Sequence, residues 1–258
     1  PKRPFTVSGS TRILGRPYLT ISPDHVDYDK VRQGTFYDQV TGQYVTRGYD
    51  TLVFVPHGSS LEPGVHTHTV PDSIDGIWHA AALMVKEILA GNDVLIDLSA
   101  LRPEGSPVRG SGGTSSGPAS FAVEIFNNFA KWAYLGGAEY AGPVATLRYL
   151  FAPTLRVIRQ GGTRRGAGMA TLSVDHPDIE DFITAKDLER EGREGDISTF
   201  NISVLVSDTF MNQAAGKPLV YDDATANAHA LLRKIAEHAH ATGEPGIQFT
   251  DTINLHNM

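Results

Sequence analysis

From about residue 50 onward, short apolar runs of strand length alternate with stretches of helical periodicity. That alternation restricts the chain to an α/β architecture with much parallel pairing. The strand candidates are Thr51–Pro56, Val94–Leu98, Gly168–Val174, Asn201–Val206 and Ile247–Thr250. Between the first two, Ile74, Ile77, Trp78, Ala81, Met84, Val85 and Ile88 recur at helical spacing behind Pro71–Asp72–Ser73, with Asp72 or Ser73 as the N-cap. Further helices are expected over Ala119–Leu135, over Ala141–Ile158 with an interruption at Pro153, over Ile179–Lys186, over Ser207–Ala215 and over Ala224–Ala241. His57–Pro63 and the Gly-rich Gly105–Pro118 read as loops. Residues 1–50, rich in Gly, Pro, Tyr and Thr without a long helical period, read as an extended N-terminal arm with short strands, and 51–258 as the body of the fold.

At 258 residues and 41% hydrophobic content the chain can bury a sizeable core. A net charge of −7 argues against a broad DNA-binding face. No apolar run reaches the roughly 18 residues of a membrane helix, no signal peptide is visible, and a cytoplasmic setting is the simplest expectation. The absence of any cysteine excludes disulfides, thiolate metal sites and thiol chemistry carried by these residues. The start at Pro1 and the stop at Met258, soon after the last strand, read as a fragment or as numbering from a first ordered residue.

The densest motif is Gly161–Ile183, GGTRRGAGMATLSVDHPDIEDFI. Its glycines allow sharp turns and close approach to a ligand, and Arg164 and Arg165 present forked donors suited to phosphate. Arg148, Arg156, Arg159, Arg164 and Arg165 fall in a span without Asp or Glu, a local positive charge that fits an anionic ligand. The loop at 105–117 could cradle a phosphate, but it lacks both the P-loop ending and the Rossmann spacing, and an ordinary flexible connector is the plainer reading. His66 and His68 share one face of a strand near His57, yet no further metal ligand stands out, and no metal is expected. His229, His238 and His240 read as surface histidines on a helix. Asp175–His176–Pro177–Asp178 reads as a strand-to-helix corner in preference to an acid–base pair.

Five segments taken in order resemble the ribonucleotide reductase catalytic subunit, most closely its adenosylcobalamin-dependent (class II) type. They are VPDSIDGIW (70–78), LSALRPEGSPVRGSGGTSSGPASF (98–121), RQGGTRRGAGMATLSVDHPDIEDFITAK (159–186), FNISVLVSDTFM (200–211) and GEPGIQFTDTINLHN (243–257). The resemblance implies the first part of a ten-stranded α/β barrel, incomplete in this chain. It implies a deoxynucleoside triphosphate effector held by Asp72 and Ser73 at a helix start and by Arg102, Val108 and Arg109 in a first loop. Gly161, Gly162, Thr163, Arg164, Arg165 and Gly166 would form the specificity loop between effector and substrate base, shifting with the bound effector. Adenosylcobalamin is implied as cofactor, bound with the rest of an oligomeric enzyme, and no direct nucleic-acid or membrane partner is implied.

The departures limit this. Val65 occupies a family redox-cysteine position, seven residues before Asp72, and the substrate-base turn reads Gly91–Asn92–Asp93–Val94–Leu95, with fewer glycines than the family pattern. The radical-bearing and C-terminal cysteines would lie beyond residue 258. Reduction consumes two thiols, so the chain alone is expected to be inactive and to need a polypeptide carrying the remaining barrel and its cysteines. The alternatives are a non-catalytic deoxynucleotide-binding regulatory module and a structural or assembly protein that kept only the fold.

Overall fold

The computed structural model describes residues 4–7, 10–38, 41–108, 112–157, 159–160, 164–187, 197–215 and 223–255. The chain forms two compact units, Pro1–Gly166 and Ala167–Met258.

The first unit is built on a parallel sheet. Strands β3 (Pro17–Thr20), β6 (Val53–Phe54), β7 (His66–Thr69) and β8 (Val94–Asp97) lie in the order β6-β3-β8-β7. Pro17 to Thr20 register against Val94 to Asp97, and His66 to Thr69 register against the same four residues from the other side. Antiparallel pairs β1 (Pro4–Val7) with β2 (Ser10–Ile13), and β4 (Thr35–Asp38) with β5 (Gln43–Thr46), accompany the sheet. The short helix α1 (Tyr28–Gln33) follows β3. Residues 14–36 are therefore no detached arm: Leu14, Leu19, Ile21, Val31 and Phe36 belong to the core, and no unit boundary falls at residue 50. The sequence reading missed this because β3 is only four residues long, too short to show a period, although all four are buried.

Helix α2 (Ile74–Ala90) connects β7 to β8 and buries Ile77, Ala80, Ala81, Met84 and Ile88, the face its periodicity predicts. Ser73, not Asp72, is the N-cap: its Oγ accepts from the Gly76 amide at 3.0 Å. Gly91, left-handed at φ 85°, ends the helix. The turn that follows packs so closely on the entry to β3 that a Cβ on Gly15 would stand 1.7 Å from the Asn92 carbonyl oxygen.

The helix expected over Ala119–Leu135 runs as α3 (Gly117–Ser120), a π-helical stretch (Phe121–Asn127) and α4 (Asn128–Tyr134). After α5 (Gly137–Tyr140), α6 (Gly142–Thr146) continues through a second π stretch (Leu147–Phe151) into α7 (Ala152–Val157). Pro153 thus does not break the helix: the widened turns just ahead of it absorb its missing amide donor. Strands β9 (Arg159–Gln160) and β10 (Arg164–Arg165) pair antiparallel at the end of this unit.

The second unit is a parallel sheet of β11 (Gly168–Ser173), β12 (Phe200–Val206) and β13 (Gly246–Phe249), in that order. Helices α8 (Ile179–Ile183), α9 (Asp208–Ala215) and α10 (Asp223–Thr242) accompany it, with Phe182, Ile202, Val204, Phe210 and Ile235 buried. Helix α8 is shorter than the expected 179–186; Thr184 Oγ1 bonds back to the Glu180 carbonyl at 3.2 Å where it ends. Thr250–Leu255 forms a further helix, α11, which the sequence reading did not anticipate. Among the described residues no helix is long and apolar enough to cross a membrane.

Candidate functional site

Four of the sequence-predicted residues meet at one place. Asp72, Ser73, Arg102 and Val108 line a cavity of about 170 Å³ in the first unit. Asp72 and Ser73 come from the start of α2, and Arg102 and Val108 from the segment that leaves β8. Ile74, Ile77, Phe121 and Val157 supply apolar wall, and Thr114, Ser115 and Ser116 a polar rim. None of these seven is among the residues that the family resemblance assigns to the effector. The hydroxyl run was visible as TSS inside the Gly-rich loop, whereas Phe121 and Val157 join only through the tertiary fold.

The described arms of this loop, 105–108 and 112–116, pair with each other as the two sides of a hairpin. Pro107 bridges Thr114, the Val108 amide donates to the Gly113 carbonyl at 2.9 Å, and the Ser115 amide donates to Ser106 at 2.8 Å. At its far end Ser116 Oγ donates to the Val157 carbonyl at 2.9 Å. Gly117, at φ 77°, closes against Glu104, where a Cβ would come within 2.7 Å. Arg109 lies outside the described residues.

Arg102 is held at two nitrogens. Nε donates to Asp72 Oδ2 at 2.8 Å and Nη1 to the Pro107 carbonyl at 3.1 Å, while the Arg102 amide donates to Asp72 Oδ1 at 3.2 Å. Nη2 has no protein partner among the described residues, so its hydrogens remain available to an acceptor while the other two nitrogens anchor the fork. An apolar wall beside hydroxyls, a helix start and a braced guanidinium suits a ligand with a flat apolar part and an anionic part.

The predicted specificity loop is placed only in part. Gly161, Gly162 and Thr163 lie outside the described residues. Arg164 and Arg165 stand in β10, paired antiparallel with Gln160 and Arg159. Gly166 packs on Leu155, with a Cβ position 3.0 Å from its Cδ2.

The arginine-rich span requires a correction. Arg156 does not offer charge to a ligand: it is buried and donates to Glu124 Oε2 through Nε at 3.0 Å and Nη2 at 2.8 Å. Arg47 reaches Glu124 Oε1 at 3.3 Å and Asp38 Oδ2 at 2.7 Å, completing a structural ion network. The acid that neutralises Arg156 lies 32 residues upstream, which a linear charge count cannot see.

Val65 is half-buried directly ahead of β7, and the turn at 91–95 is fixed structurally, with Asp93 Oδ1 accepting from the Arg16 amide at 2.9 Å. His66 pairs with Glu87 at 3.0 Å. Asn92 first, and then His66, hold the Glu87 carboxyl below the usual range against the opposing effect of burial. Among the described residues no cluster of three or more metal-ligating side chains occurs. His229 and His240 are exposed, whereas His238 is half-buried against Asp187 at 3.1 Å. Residues 173–178 form the expected corner, with His176 Nδ1 accepting from the Asp178 amide at 3.0 Å.

The ribonucleotide reductase barrel-domain family matches residues 130–223. The vitamin B12-dependent ribonucleoside-diphosphate reductase of Mycobacterium tuberculosis is 34% identical over 209 residues, covering 76% of this chain and 25% of that protein. The protein of the same name from Thermoplasma acidophilum is 30% identical over 237 residues, covering 84% of this chain and 27% of that protein. The chain thus spans about a quarter of the length of these relatives. A crystal structure of a B12-dependent (class II) ribonucleotide reductase shares the fold at a TM-score of 0.62 and 20% identity, over 91% of this chain and 27% of that one. The chain thus has the fold of part of a ribonucleotide reductase barrel and resembles the vitamin B12-dependent members of that family in sequence over most of its length.

Proposed function

We propose that this chain is part of a ribonucleotide reductase that makes deoxyribonucleotides by radical chemistry, and that it carries the effector site and the specificity loop. The observation that carries the reading is the cavity joining Asp72, Ser73, Arg102 and Val108, residues the family resemblance assigns to effector binding and that are separated by up to 36 positions in sequence. At about 170 Å³ it encloses part of a deoxynucleoside triphosphate, with the remainder extending past its rim, since whole ligands of that size take roughly 300–1,000 Å³. The Arg102 fork and the serine and threonine hydroxyls would take phosphate and sugar oxygens, and the apolar wall would take the base.

The relatives are named vitamin B12-dependent, and we assign adenosylcobalamin to the assembled enzyme. The cavities beside Arg102 and Glu104, about 170 and 70 Å³, are too small for a corrin ring, so neither of these would hold it. These 258 residues hold no cysteine, so on this reading the reducing thiols and the rest of the barrel come from residues outside them, in an oligomeric enzyme. The alternative, a non-catalytic deoxynucleotide-binding module, is favoured by Val65 at the redox-cysteine position.

Calorimetry with each of the four deoxynucleoside triphosphates tests the shared element of both readings. Binding is expected, and weakening by roughly tenfold is expected for Arg102→Met, about the worth of one charge-assisted hydrogen bond. Absence of binding, or equal binding by the variant, overturns the effector assignment. Nucleotide reduction on mixing with a cysteine-bearing partner distinguishes the reductase from the regulatory module.

A further inference from the structure

The segment that carries Arg102 does not hold itself in place. Residues 98–104 lie along the corner between β3 and α1, and each step is bonded to it. The Leu98 amide donates to the Thr20 carbonyl at 3.0 Å. The Ser22 amide donates to Ser99 Oγ at 2.7 Å, and His25 Nε2 donates to the Leu101 carbonyl at 2.8 Å. The Glu104 amide donates to Asp27 Oδ2 at 2.8 Å. Lys30 Nζ then bridges Asp27 at 3.0 Å and Glu104 at 2.8 Å, and Tyr44 donates its hydroxyl to Glu104 Oε1 at 2.9 Å.

The chemistry fixes the orientation of each contact. The Asp27 amide donates to His25 Nδ1 at 3.0 Å, so that nitrogen offers its lone pair and the ring proton sits on Nε2, facing a carbonyl that can only accept. Asp27 is 2% exposed, and burial at that level requires the partners it has in Lys30 and the Glu104 amide. Burial pulls the Lys30 ammonium down, but its hydrogen bonds to Glu104 and Asp27 outweigh this and hold it above its ordinary range, so it is a cation at every working pH. The two anchors at Leu101 and Glu104 bracket Arg102. Glu104 also stands at the root of the hairpin, touching Gly117 at the other end of it.

The corner is a self-contained piece of structure. The pattern Ser-x-Asp-His-x-Asp occurs at 22–27 and again at 173–178 in the second unit. In both copies the serine carbonyl accepts from the histidine amide and the histidine Nδ1 accepts from the amide two residues on. The second copy forms without a counterpart of Glu104 among its described contacts, so the first does not depend on Glu104 to fold.

We propose that the Ser22–Lys30 corner, with Tyr44, is the positioning rail of the effector loop: Lys30, Asp27 and Tyr44 act through Glu104 to hold Arg102 and the hairpin root in their ligand-binding geometry without touching the nucleotide. The proposal rests on the effector reading above, and the experiment separates the two. Calorimetry with dATP and dTTP on the full chain is paired with hydrogen exchange at the Val108 and Ser115 amides, the two that close the hairpin. Lys30→Met is expected to weaken nucleotide binding roughly tenfold and to speed exchange at both amides by a similar factor, the loss of one charge-assisted bond. Lys30→Arg is expected to restore both to within about twofold, because the cation is retained. Exchange within α2 should stay unchanged, which a general loss of folding would not allow. Tyr44→Phe, which removes one hydroxyl from an exposed strand, gives the same test at smaller amplitude should Lys30→Met fail to fold. Wild-type exchange rates in the hairpin and wild-type affinity in both Lys30→Met and Tyr44→Phe overturn the rail. If the unmodified chain binds neither nucleotide the effector reading falls, and the exchange arm alone then decides the rail.

Discussion

Replacing Glu124 by leucine removes the acid that Arg156 engages through both Nε and Nη2, and the structure sets the size of the effect. The side chains of Glu124 and Arg156 are 4% and 7% exposed, so a guanidinium that loses Glu124 cannot turn to water without moving α7. Breaking a buried pair from one side costs about 3–5 kcal/mol, most of it the uncompensated charge. Arg47 softens the loss little, because its second nitrogen remains on Asp38 at 2.7 Å while its first loses Glu124 at 3.3 Å. With a urea slope of about 2 kcal/mol/M, the midpoint of the first unit should fall by roughly 1.5–2.5 M. Tryptophan fluorescence is the assay, since both tryptophans, Trp78 and Trp132, lie in that unit and report on it alone. Trp78 stacks on Phe129 and Trp132 donates to Thr146, so both environments change on unfolding. The double variant Glu124→Leu with Arg156→Met should recover to within about 1–2 kcal/mol of the parent, because apolar replacement of a whole buried pair is often neutral. A single variant unfolding within about 0.5 M of the parent, or a double variant as weak as the single, would refute the view of Arg156 as a structural charge.

Gly15→Ala should destabilise the first unit by at least about 1–3 kcal/mol, because its Cβ would stand 1.7 Å from the Asn92 carbonyl oxygen and backbone must shift; an unchanged thermal midpoint contradicts that close approach. Burial works against ionisation of Asp50, yet its bonds from Lys131 at 2.6 Å and Asn127 at 2.7 Å hold the carboxyl below its ordinary range. The folded value lies below the unfolded one, so the stabilisation is fully present above about pH 4 and is lost as pH falls through the folded value. Lys131→Met should therefore flatten the acid side of the stability–pH curve, and an unaltered slope in urea titrations below about pH 4 would contradict the assignment. Iodoacetamide should leave deoxynucleotide binding by this chain unchanged, since it holds no cysteine, while abolishing turnover in any reconstituted reductase; turnover that survives alkylation is the contrary result.

Local patterns carried most of the elements. The period through Ile77, Ala81, Met84 and Ile88 located α2, and the apolar runs located β8, β11, β12 and β13 to within a residue or two. Elements shorter than a period were not legible: β3, four residues long and all buried, and α1, six residues long with Val31 buried, belong to the first unit through their partners in β8 and in residues 98–104. The same limit governs the site. Asp72, Ser73, Arg102 and Val108 were identifiable from family motifs and do share a cavity, but Phe121 and Val157 enter it by tertiary packing, and nothing local marks Lys30, Asp27 or Glu104 as neighbours 74 to 77 residues apart.

The arginines show how this limit shapes functional reasoning. A run of basic residues without acids suggests an anion site only when the acids that could neutralise it are absent in space as well as in sequence. Arg156 fails that condition through Glu124, whereas Arg102, set outside the run and beside Asp72, gives Nε to the carboxylate and Nη1 to the Pro107 carbonyl and leaves Nη2 without a protein partner among the described residues. On the proposed reading one arginine is braced to bind, while the other is engaged in bracing the fold. The distinction rests on which nitrogen the acid occupies, a property of the three-dimensional arrangement that no count of charges supplies. Ligand recognition in this chain is therefore better sought where a guanidinium is half-satisfied at the edge of an apolar wall than where positive residues are most numerous.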